Sequence, residues 1–226
     1  MVKSALAPIH RDGWPFVAGF AIVALALGQW VSGTLGWLGL LATAWCVYFF
    51  RDPERVPPER GGLVLAPADG LVEMVQPALP PPELGMAAIA RPRVSIFLSI
   101  FDVHVNRVPA DGTITELAYR PGKFLNAALD KASEENERQS IRLTVEGGRE
   151  LAFVQIAGLI ARRIRCDLAK GQTVRAGERF GLIRFGSRVD VYLPEGVVPL
   201  VRAGQRMVAG ETVLADLATP SRSRGD

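Results

Sequence analysis

An uncharged segment of 38 residues, from Gly13 to Phe50, restricts the possible folds of this chain more than any other feature. A single α-helix of that length would measure about 57 Å, roughly twice the ~30 Å hydrocarbon core of a bilayer. The Ser-Gly-Thr sequence at 32–34 predicts a break near the middle of the segment. We therefore predict two apolar helices, at about 14–30 and 35–50, that form a transmembrane helical hairpin.

Basic residues flank this segment on both sides, with Lys3 and Arg11 before it and Arg51 and Arg55 after it. Such flanks are typical of membrane segments whose two ends both lie in the cytoplasm. A cleaved signal peptide is disfavoured, because its apolar core would be shorter and followed by a small-residue cleavage pattern. We therefore expect an inner-membrane protein whose remaining chain lies on the cytoplasmic side. The segment contains no His, Lys, Asp or Glu, so we expect it to locate the protein rather than take part in chemistry.

We assign the hairpin to residues 1–50. The chain beyond it has the pattern of a β-rich domain. Residues 51–62 contain three prolines and no apolar periodicity, which predicts a linker. Residues 63–226 contain short β-branched runs separated by turn residues about every ten residues, as in all-β sandwiches or barrels. We also expect one helix near 124–138 and a hairpin turn at 145–150. The clearest strand candidates are 94–101, 113–119, 141–147, 150–158 and 188–194.

Two internal repeats indicate a duplicated β architecture. The sequence PADG occurs at 67–70 and at 109–112, and GQTVRAGE at 171–178 returns as GQRMVAGE at 204–211. Repeated units with glycines at fixed places predict duplicated hairpins of the barrel-sandwich or hammerhead kind, as in biotinyl and lipoyl carrier domains. This pattern raises the alternative of a membrane-tethered carrier, for which Lys131 in an Asp-Lys-Ala tripeptide is the candidate. That tripeptide lies in a polar, helix-like stretch outside the repeats, which disfavours the alternative.

The composition excludes several classes of site. Two cysteines and two histidines are too few for a disulfide scaffold or a Cys- or His-rich metal centre, so we expect no metal. The net charge is +3, and the residues from Ala161 onward carry 12 basic against 7 acidic side chains. This excess suits an anionic partner, either phospholipid headgroups or nucleic acid, although a solvated basic surface explains it equally well.

Few residues are candidates for catalysis, because His104 is the only histidine beyond the apolar segment. Period-two alternation over 101–106 would place Asp102, His104 and Asn106 on one polar face of a strand, where they could line a cleft. The alternative is a half-buried strand whose polar side faces water.

The dipeptide Gly186-Ser187 interrupts a strand pattern. A glycine in a strand marks a bulge or kink, and a hydroxyl beside an unhindered carbonyl is what an intramolecular acyl shift requires. The alternative is a turn at the edge of a strand.

Five motifs together resemble the short, bacterial form of phosphatidylserine decarboxylase. The resemblance implies a proenzyme that cuts itself between Gly186 and Ser187 into chains 1–186 and 187–226, which stay together as a heterodimer. It implies that Ser187 becomes a covalent pyruvoyl cofactor, and that membrane phosphatidylserine is converted to phosphatidylethanolamine and carbon dioxide. The motifs are FFRDPER at 49–55, APADG at 66–70, FDVHVNRVPADG at 101–112, GKFLNAALDKASEENER at 122–138 and FGSRVDVYLP at 185–194.

The resemblance also implies roles for individual residues. Asp69 and His104 would activate the hydroxyl of Ser187, with the carboxylate orienting the imidazole; from the residues alone, Asp102 could serve equally well. Longer members of the family carry a second histidine where this chain has Arg107. The pyruvoyl ketone would condense with the substrate amine as a Schiff base, and the conjugated amide carbonyl would accept the electrons released as carbon dioxide leaves. Archaetidylserine or a related serine phospholipid is the alternative substrate, nucleic acid is not an expected partner, and a higher oligomer is possible.

Overall fold

The computed structural model describes residues 7–122, 136–158, 164–184 and 186–218. The chain forms two compact units. The helical unit comprises Met1–Glu54 with Phe101–Val105, and the sheet unit comprises Arg55–Ile100 with Asn106–Asp226.

The helical unit contains two α-helices. A short 3-10 helix, Arg11–Gly13, leads into α1 (Trp14–Trp30), and α2 (Gly33–Phe49) follows after Ser32, whose backbone is extended. Small residues let the two helices approach closely, because a Cβ on Gly36 would lie 2.6 Å from the Cα of Gly28. Most large apolar side chains of both helices face outward.

One helix meets the requirements for crossing a membrane. The helical stretch Arg11–Trp30 has 20 residues and a mean hydropathy of 1.4, and about 20 apolar residues span a bilayer. The second helix, at 17 residues, is at the short end of the spanning range. The prediction of an N-terminal helix able to span a membrane is therefore confirmed.

The sheet unit is built from antiparallel strands, as the spacing of the β-branched runs predicted. An eight-stranded sheet has the order β12-β2-β3-β11-β7-β6-β5-β9, and smaller sheets have the orders β4-β10-β8 and β1-β13. Bulges in β2 and β5 increase the local twist and help the large sheet to curl. The strands are β1 (Leu63–Leu65), β2 (Gly70–Ala78), β3 (Arg91–Leu98), β4 (Val105–Arg107), β5 (Gly112–Arg120), β6 (Arg138–Thr144), β7 (Glu150–Ala157), β8 (Ile164–Cys166), β9 (Thr173–Val174), β10 (Arg179–Ile183), β11 (Ser187–Tyr192), β12 (Arg206–Met207) and β13 (Val213–Asp216).

Strand β11 occupies the middle of the large sheet. It pairs along its whole length with β3 on one side and with β7 on the other. Every residue of β11 is buried, which means that both faces of the sheet are covered here. Val189 and Val191 belong to the main apolar core together with Ile96 and Phe153, and burial of each such side chain contributes roughly 1.5–3 kcal/mol.

The two internal repeats have equivalent contacts. In the first PADG turn, the Asp69 Oδ1 accepts the backbone N–H of Ala209 at 2.8 Å, and in the second the Asp111 Oδ1 accepts that of Ala176 at 2.8 Å. The strands that follow the turns are equivalent as well, because Gly70 pairs with β12 and Gly112 pairs with β9. Each PADG turn therefore holds one copy of the GQ…GE repeat.

Two sequence-based expectations need correction or fall outside the described residues. The prediction that 101–106 is a strand with one apolar and one polar face is wrong. In this region only Val105–Arg107 is a strand. Residues 102–107 are all buried, so neither face of that strand meets water. The predicted helix at 124–138 falls largely within 123–135, outside the described residues, and Arg138 already begins β6. The predicted hairpin turn is confirmed, since β6 and β7 pair directly on either side of it.

Candidate active site

Ser187 begins the central strand of the large sheet. Its neighbours in the ladder are Leu98 on β3 and Ala157 on β7. The residue is fully buried, and within the described part of the chain its Oγ has no hydrogen-bond partner. A buried hydroxyl without a hydrogen-bond partner costs free energy.

Gly186 supplies the special backbone next to this hydroxyl. Its φ is +69°, in the left-handed region that glycine adopts far more readily than other residues. Among the described residues, no heavy atom beyond its chain neighbours lies within 4 Å of the position a Cβ would take. Conformation rather than space therefore requires glycine here, and the peptide bond between residues 186 and 187 is sterically open on that side.

His104 lies in the helical unit and is fully buried. Its Nδ1 is 2.9 Å from the carbonyl oxygen of Asp102. Because a carbonyl oxygen can only accept, Nδ1 carries the proton and Nε2 keeps its lone pair. In the described residues, Nε2 has no hydrogen-bond partner.

Burial lowers the pKa of His104 to about 4, against the hydrogen bond and charge of Asp102, which act to raise it. The positive charge of Arg51 lowers this pKa further. Phe49 covers the imidazole, with 4.2 Å between the ring centroids. At neutral pH the side chain is therefore an uncharged base with an available nitrogen. Phe49 lies within the apolar segment, so that segment also shapes the environment of the imidazole.

Asp69 lies in the sheet unit and makes an ion pair. Arg55 donates from Nη2 to both of its carboxylate oxygens, at 2.7 and 3.0 Å, in addition to the N–H of Ala209. The turn that holds Asp69 lies at the end of the sheet where Ser187 begins β11, two strands away, at roughly 10 Å by strand spacing. The structure therefore places Asp69 and Ser187 at the same end of the sheet, without a hydrogen bond to the serine hydroxyl among the described residues.

Of the two residues Arg107 and Lys131, the structure describes only Arg107. Arg107, at the position of the second histidine of longer family members, donates from Nη1 to the carbonyl oxygen of Gly177 at 2.8 Å. It thus supports the turn of one GQ…GE repeat. Lys131, the candidate of the carrier alternative, lies outside the described residues.

Sequence reasoning singled out Asn106 but missed the two buried polar pairs around β11. Arg188 and Asp190 form a fully buried ion pair at 2.9 Å on the face opposite Ser187. Gln155 on β7 and Asn106 on β4 form a buried amide pair at 2.8 Å. The available signals were charged or amide residues in otherwise apolar strands, such as the glutamine in ELAFVQIA.

Comparisons with known proteins agree on one family. Residues 42–215 match the family model described as phosphatidylserine decarboxylase. The chain is similar to the phosphatidylserine decarboxylase proenzyme of Paramagnetospirillum magneticum, with 64% identity over 217 residues that cover 96% of this chain and 90% of the relative. It is similar to the proenzyme of the same name from Granulibacter bethesdensis, with 62% identity covering 96% and 88% of the two chains. For the proenzyme of Cereibacter sphaeroides the identity is 57%, covering 99% and 96%.

Proposed function

Because this chain belongs to the phosphatidylserine decarboxylase family, we propose that it is a self-cleaving proenzyme that converts phosphatidylserine to phosphatidylethanolamine and carbon dioxide. The observation that carries the proposal is the family match over 42–215, which includes Asp69, His104 and Ser187. The relatives reported above are named for phosphatidylserine, so their names favour neither the archaetidylserine nor the carrier alternative.

The residues at the cleavage point fit the formation of a pyruvoyl group. Ser187 provides the hydroxyl, which is buried and without a partner among the described residues, and Gly186 provides a carbonyl in a turn that only glycine adopts easily. Once formed, the pyruvoyl group supplies an electron sink for the loss of carbon dioxide, as pyridoxal phosphate does in other decarboxylases.

Self-cleavage begins when the Oγ of Ser187 attacks the carbonyl carbon of Gly186 and the amide becomes an ester. A serine hydroxyl is a weak nucleophile and needs a base, a role for which the neutral imidazole of His104 is suited. Loss of the Cα proton of Ser187 then breaks the Cβ–O bond and releases Gly186 as a carboxylate. The dehydroalanine that remains takes up water, loses ammonia and becomes the pyruvoyl group. The orienting role that the family resemblance gives to Asp69 stays a prediction.

The two products of cleavage stay together, because β11 belongs to the smaller fragment and pairs on both sides with strands of the larger one. Six residue pairs to β3 and six to β7 hold it in place. The N-terminal residue of the smaller fragment therefore remains fixed in the sheet after the peptide bond is broken.

We further propose that residues 1–50 form a transmembrane hairpin in the inner membrane, followed by a linker over 51–62. The β-rich domain of residues 63–226, with its duplicated barrel-sandwich hairpins, then lies on the cytoplasmic side. A diacyl substrate remains in the bilayer, so an anchor of this kind keeps the enzyme at high local substrate concentration. The helix able to span a membrane and the basic flanks support this arrangement.

Intact-mass measurement tests the proposal. The purified protein should consist of residues 1–186 and of the 40 residues from Ser187 to Asp226, the latter without a free amino terminus. Ser187→Ala should remain whole and inactive. Ser95→Ala is the matched control, because Ser95 is also a fully buried strand serine whose Oγ has no partner in the described residues, and it should cleave normally. An active wild-type protein with the mass of one uncut chain would contradict the proposal.

A further inference from the structure

We propose that Asn106 and Gln155 form a neutral hydrogen-bonding subsite beside Ser187, and that this subsite holds the carboxylate of the serine headgroup. The inference rests on the proposed function and deepens it, since it identifies residues that recognise the substrate.

The two amides form a small, fully buried network. Gln155 donates from Nε2 to the Oδ1 of Asn106 at 2.8 Å and to the carbonyl oxygen of Arg165 at 3.2 Å. Glycine at position 181 makes room for it, because a Cβ there would lie 3.1 Å from the Gln155 Nε2. Neither amide side chain is exposed to solvent.

The carbonyl of Arg165 fixes the direction of this network. A carbonyl oxygen only accepts, so the nitrogen of Gln155 must face it, and the second hydrogen on that nitrogen binds Asn106. Asn106 must then present its oxygen to Gln155, which turns its own NH2 group away. Within the described residues, the Asn106 Nδ2 and the Gln155 Oε1 have no hydrogen-bond partner. The network thus ends in one free donor group and one free acceptor.

The register of the sheet places this network next to the reacting serine. Ser187 lies opposite Ala157, and Val189 lies opposite Gln155, so Gln155 is the diagonal neighbour of Ser187 on the same face of the sheet. Diagonal neighbours in an antiparallel pair have Cβ atoms within roughly 7–8 Å, which a glutamine side chain can bridge. The network is therefore within side-chain reach of Ser187, on the same face of the sheet.

The chemistry of the free groups suits the headgroup of the proposed substrate. An amide NH2 donates to a carboxylate oxygen, and an amide oxygen accepts from an ammonium or amine. A neutral donor also suits a group that loses its charge during the reaction. An arginine would bind the carboxylate most strongly in the ground state, which does not help a transition state in which that charge is leaving.

The test compares a single variant at Asn106 with a double variant at Asn106 and Gln155. Asn106→Asp keeps the oxygen that Gln155 binds but replaces the free donor with an acceptor. The double variant Asn106→Leu with Gln155→Met replaces the network with apolar side chains of similar shape. We expect both proteins to cleave themselves to the wild-type extent, measured by intact mass. We expect KM for phosphatidylserine to rise about 10-fold or more, with a smaller change in kcat.

Two controls separate headgroup recognition from general damage. Gln139 lies on β6, directly opposite Gln155 on β7. Gln139→Glu therefore introduces the same negative charge as Asn106→Asp close to the network, and it should leave KM within twofold of wild type. The inhibition constant of phosphatidylethanolamine, which has the amine but no carboxylate, should not rise in Asn106→Asp, because the new carboxylate has no headgroup carboxylate to repel.

Three results would overturn the inference. Loss of self-cleavage in both variants would assign the amides to cleavage instead, and an unchanged KM would assign them to packing. Unfolding of both variants, seen by circular dichroism, would likewise assign them to the core. Failure of the proposed function looks different, because the wild-type protein itself would then not cleave or not release carbon dioxide from phosphatidylserine.

Discussion

The burial of His104 makes a quantitative prediction about the pH dependence of self-cleavage. Burial under Phe49 keeps the imidazole neutral, with a pKa of about 4 instead of the ordinary value near 6.5. If His104 is the base, the rate of cleavage follows the neutral fraction of its side chain. Lowering the pH from 7.5 to 5.0 should therefore change the rate of self-cleavage very little.

The size of the effect follows from the two pKa values. With a pKa of about 4, about 90% of the imidazole is still neutral at pH 5.0, so the cleavage rate falls by only about a tenth. With a pKa of about 6.5, about 3% would be neutral, and the rate would fall roughly 30-fold.

The assay requires uncut precursor, which pulse-labelled cell-free synthesis provides. The labelled protein is transferred to buffers between pH 7.5 and 5.0, and the appearance of the two fragments is followed by intact mass. The lower limit of the pH range matters, because the pKa of His104 is lower in the folded than in the unfolded protein. The free energy of unfolding therefore decreases as the pH falls from 6.5 toward 4, by about 3 kcal/mol in total. Circular dichroism at each pH confirms that the protein is folded.

His104→Gln is the control, since it retains a polar side chain of similar size but cannot act as a base. It should remain uncut at every pH. A 30-fold fall in the wild-type rate centred near pH 6.5 would refute the reasoning, as would normal cleavage of His104→Gln.

Three further predictions concern residues around the site. Phe49→Ala should expose His104 and raise its pKa, so that cleavage becomes sensitive to pH between 5 and 7 in the assay above. Gly186→Ala should slow cleavage and lower the free energy of unfolding in urea by about 1–2 kcal/mol, because alanine is strained at the positive φ. Arg188→Met should cost about 3–5 kcal/mol in the same urea experiment, because it leaves the buried Asp190 with only the more distant Arg93, at 3.9 Å, as a counter-charge.

The sequence predicted the helical part of the fold well because an uncharged segment of this length leaves few alternatives. The first helix, Trp14–Trp30, matches the prediction. The second begins at Gly33 rather than near residue 35, since the extended backbone is confined to Ser32, and further along the helix Gly36 and Gly39 pack closely against α1. Glycine lowers helix propensity in isolation, but tertiary packing compensates for it here.

The error at 101–106 has a physical cause. Period-two alternation assumes that one side of a strand meets water, and residues 102–106 are all buried. One polar group of the segment bonds locally instead, since the His104 Nδ1 donates to the carbonyl oxygen of Asp102. A single sequence contains no signal for such a contact.

Gln155 could not be predicted as a neighbour of Ser187 for another reason. The two residues are more than thirty positions apart in the sequence, and only the register between β7 and β11 brings them together. A shift of one residue in that register would turn Gln155 to the opposite face of the sheet from Ser187. Contacts of this kind depend on tertiary pairing, which the pattern of one strand does not specify.

The internal repeat provides the sharpest test of the role predicted for Asp69. Asp69 and Asp111 occupy equivalent turns and accept equivalent backbone N–H groups, so the repeat alone explains why both are aspartate. Of these two aspartates, only Asp69 also pairs with a cation in the described part of the chain, namely Arg55. If the charge of Asp69 assists cleavage, its replacement should have an effect that replacement of Asp111 does not.

Asn retains the oxygen that accepts the N–H and removes the charge, which makes the comparison direct. We expect Asp69→Asn to accumulate uncut precursor, with a rate lower by orders of magnitude, while Asp111→Asn and Asp102→Asn cleave normally. Arg55→Gln completes the set, because it removes the ion pair but leaves the carboxylate in place. If Arg55→Gln slows cleavage as much as Asp69→Asn does, the ion pair is what matters, and Asp69 acts by holding the chain after the apolar segment against its own turn. If Asp102→Asn is the variant that blocks cleavage, the orienting carboxylate is Asp102 instead.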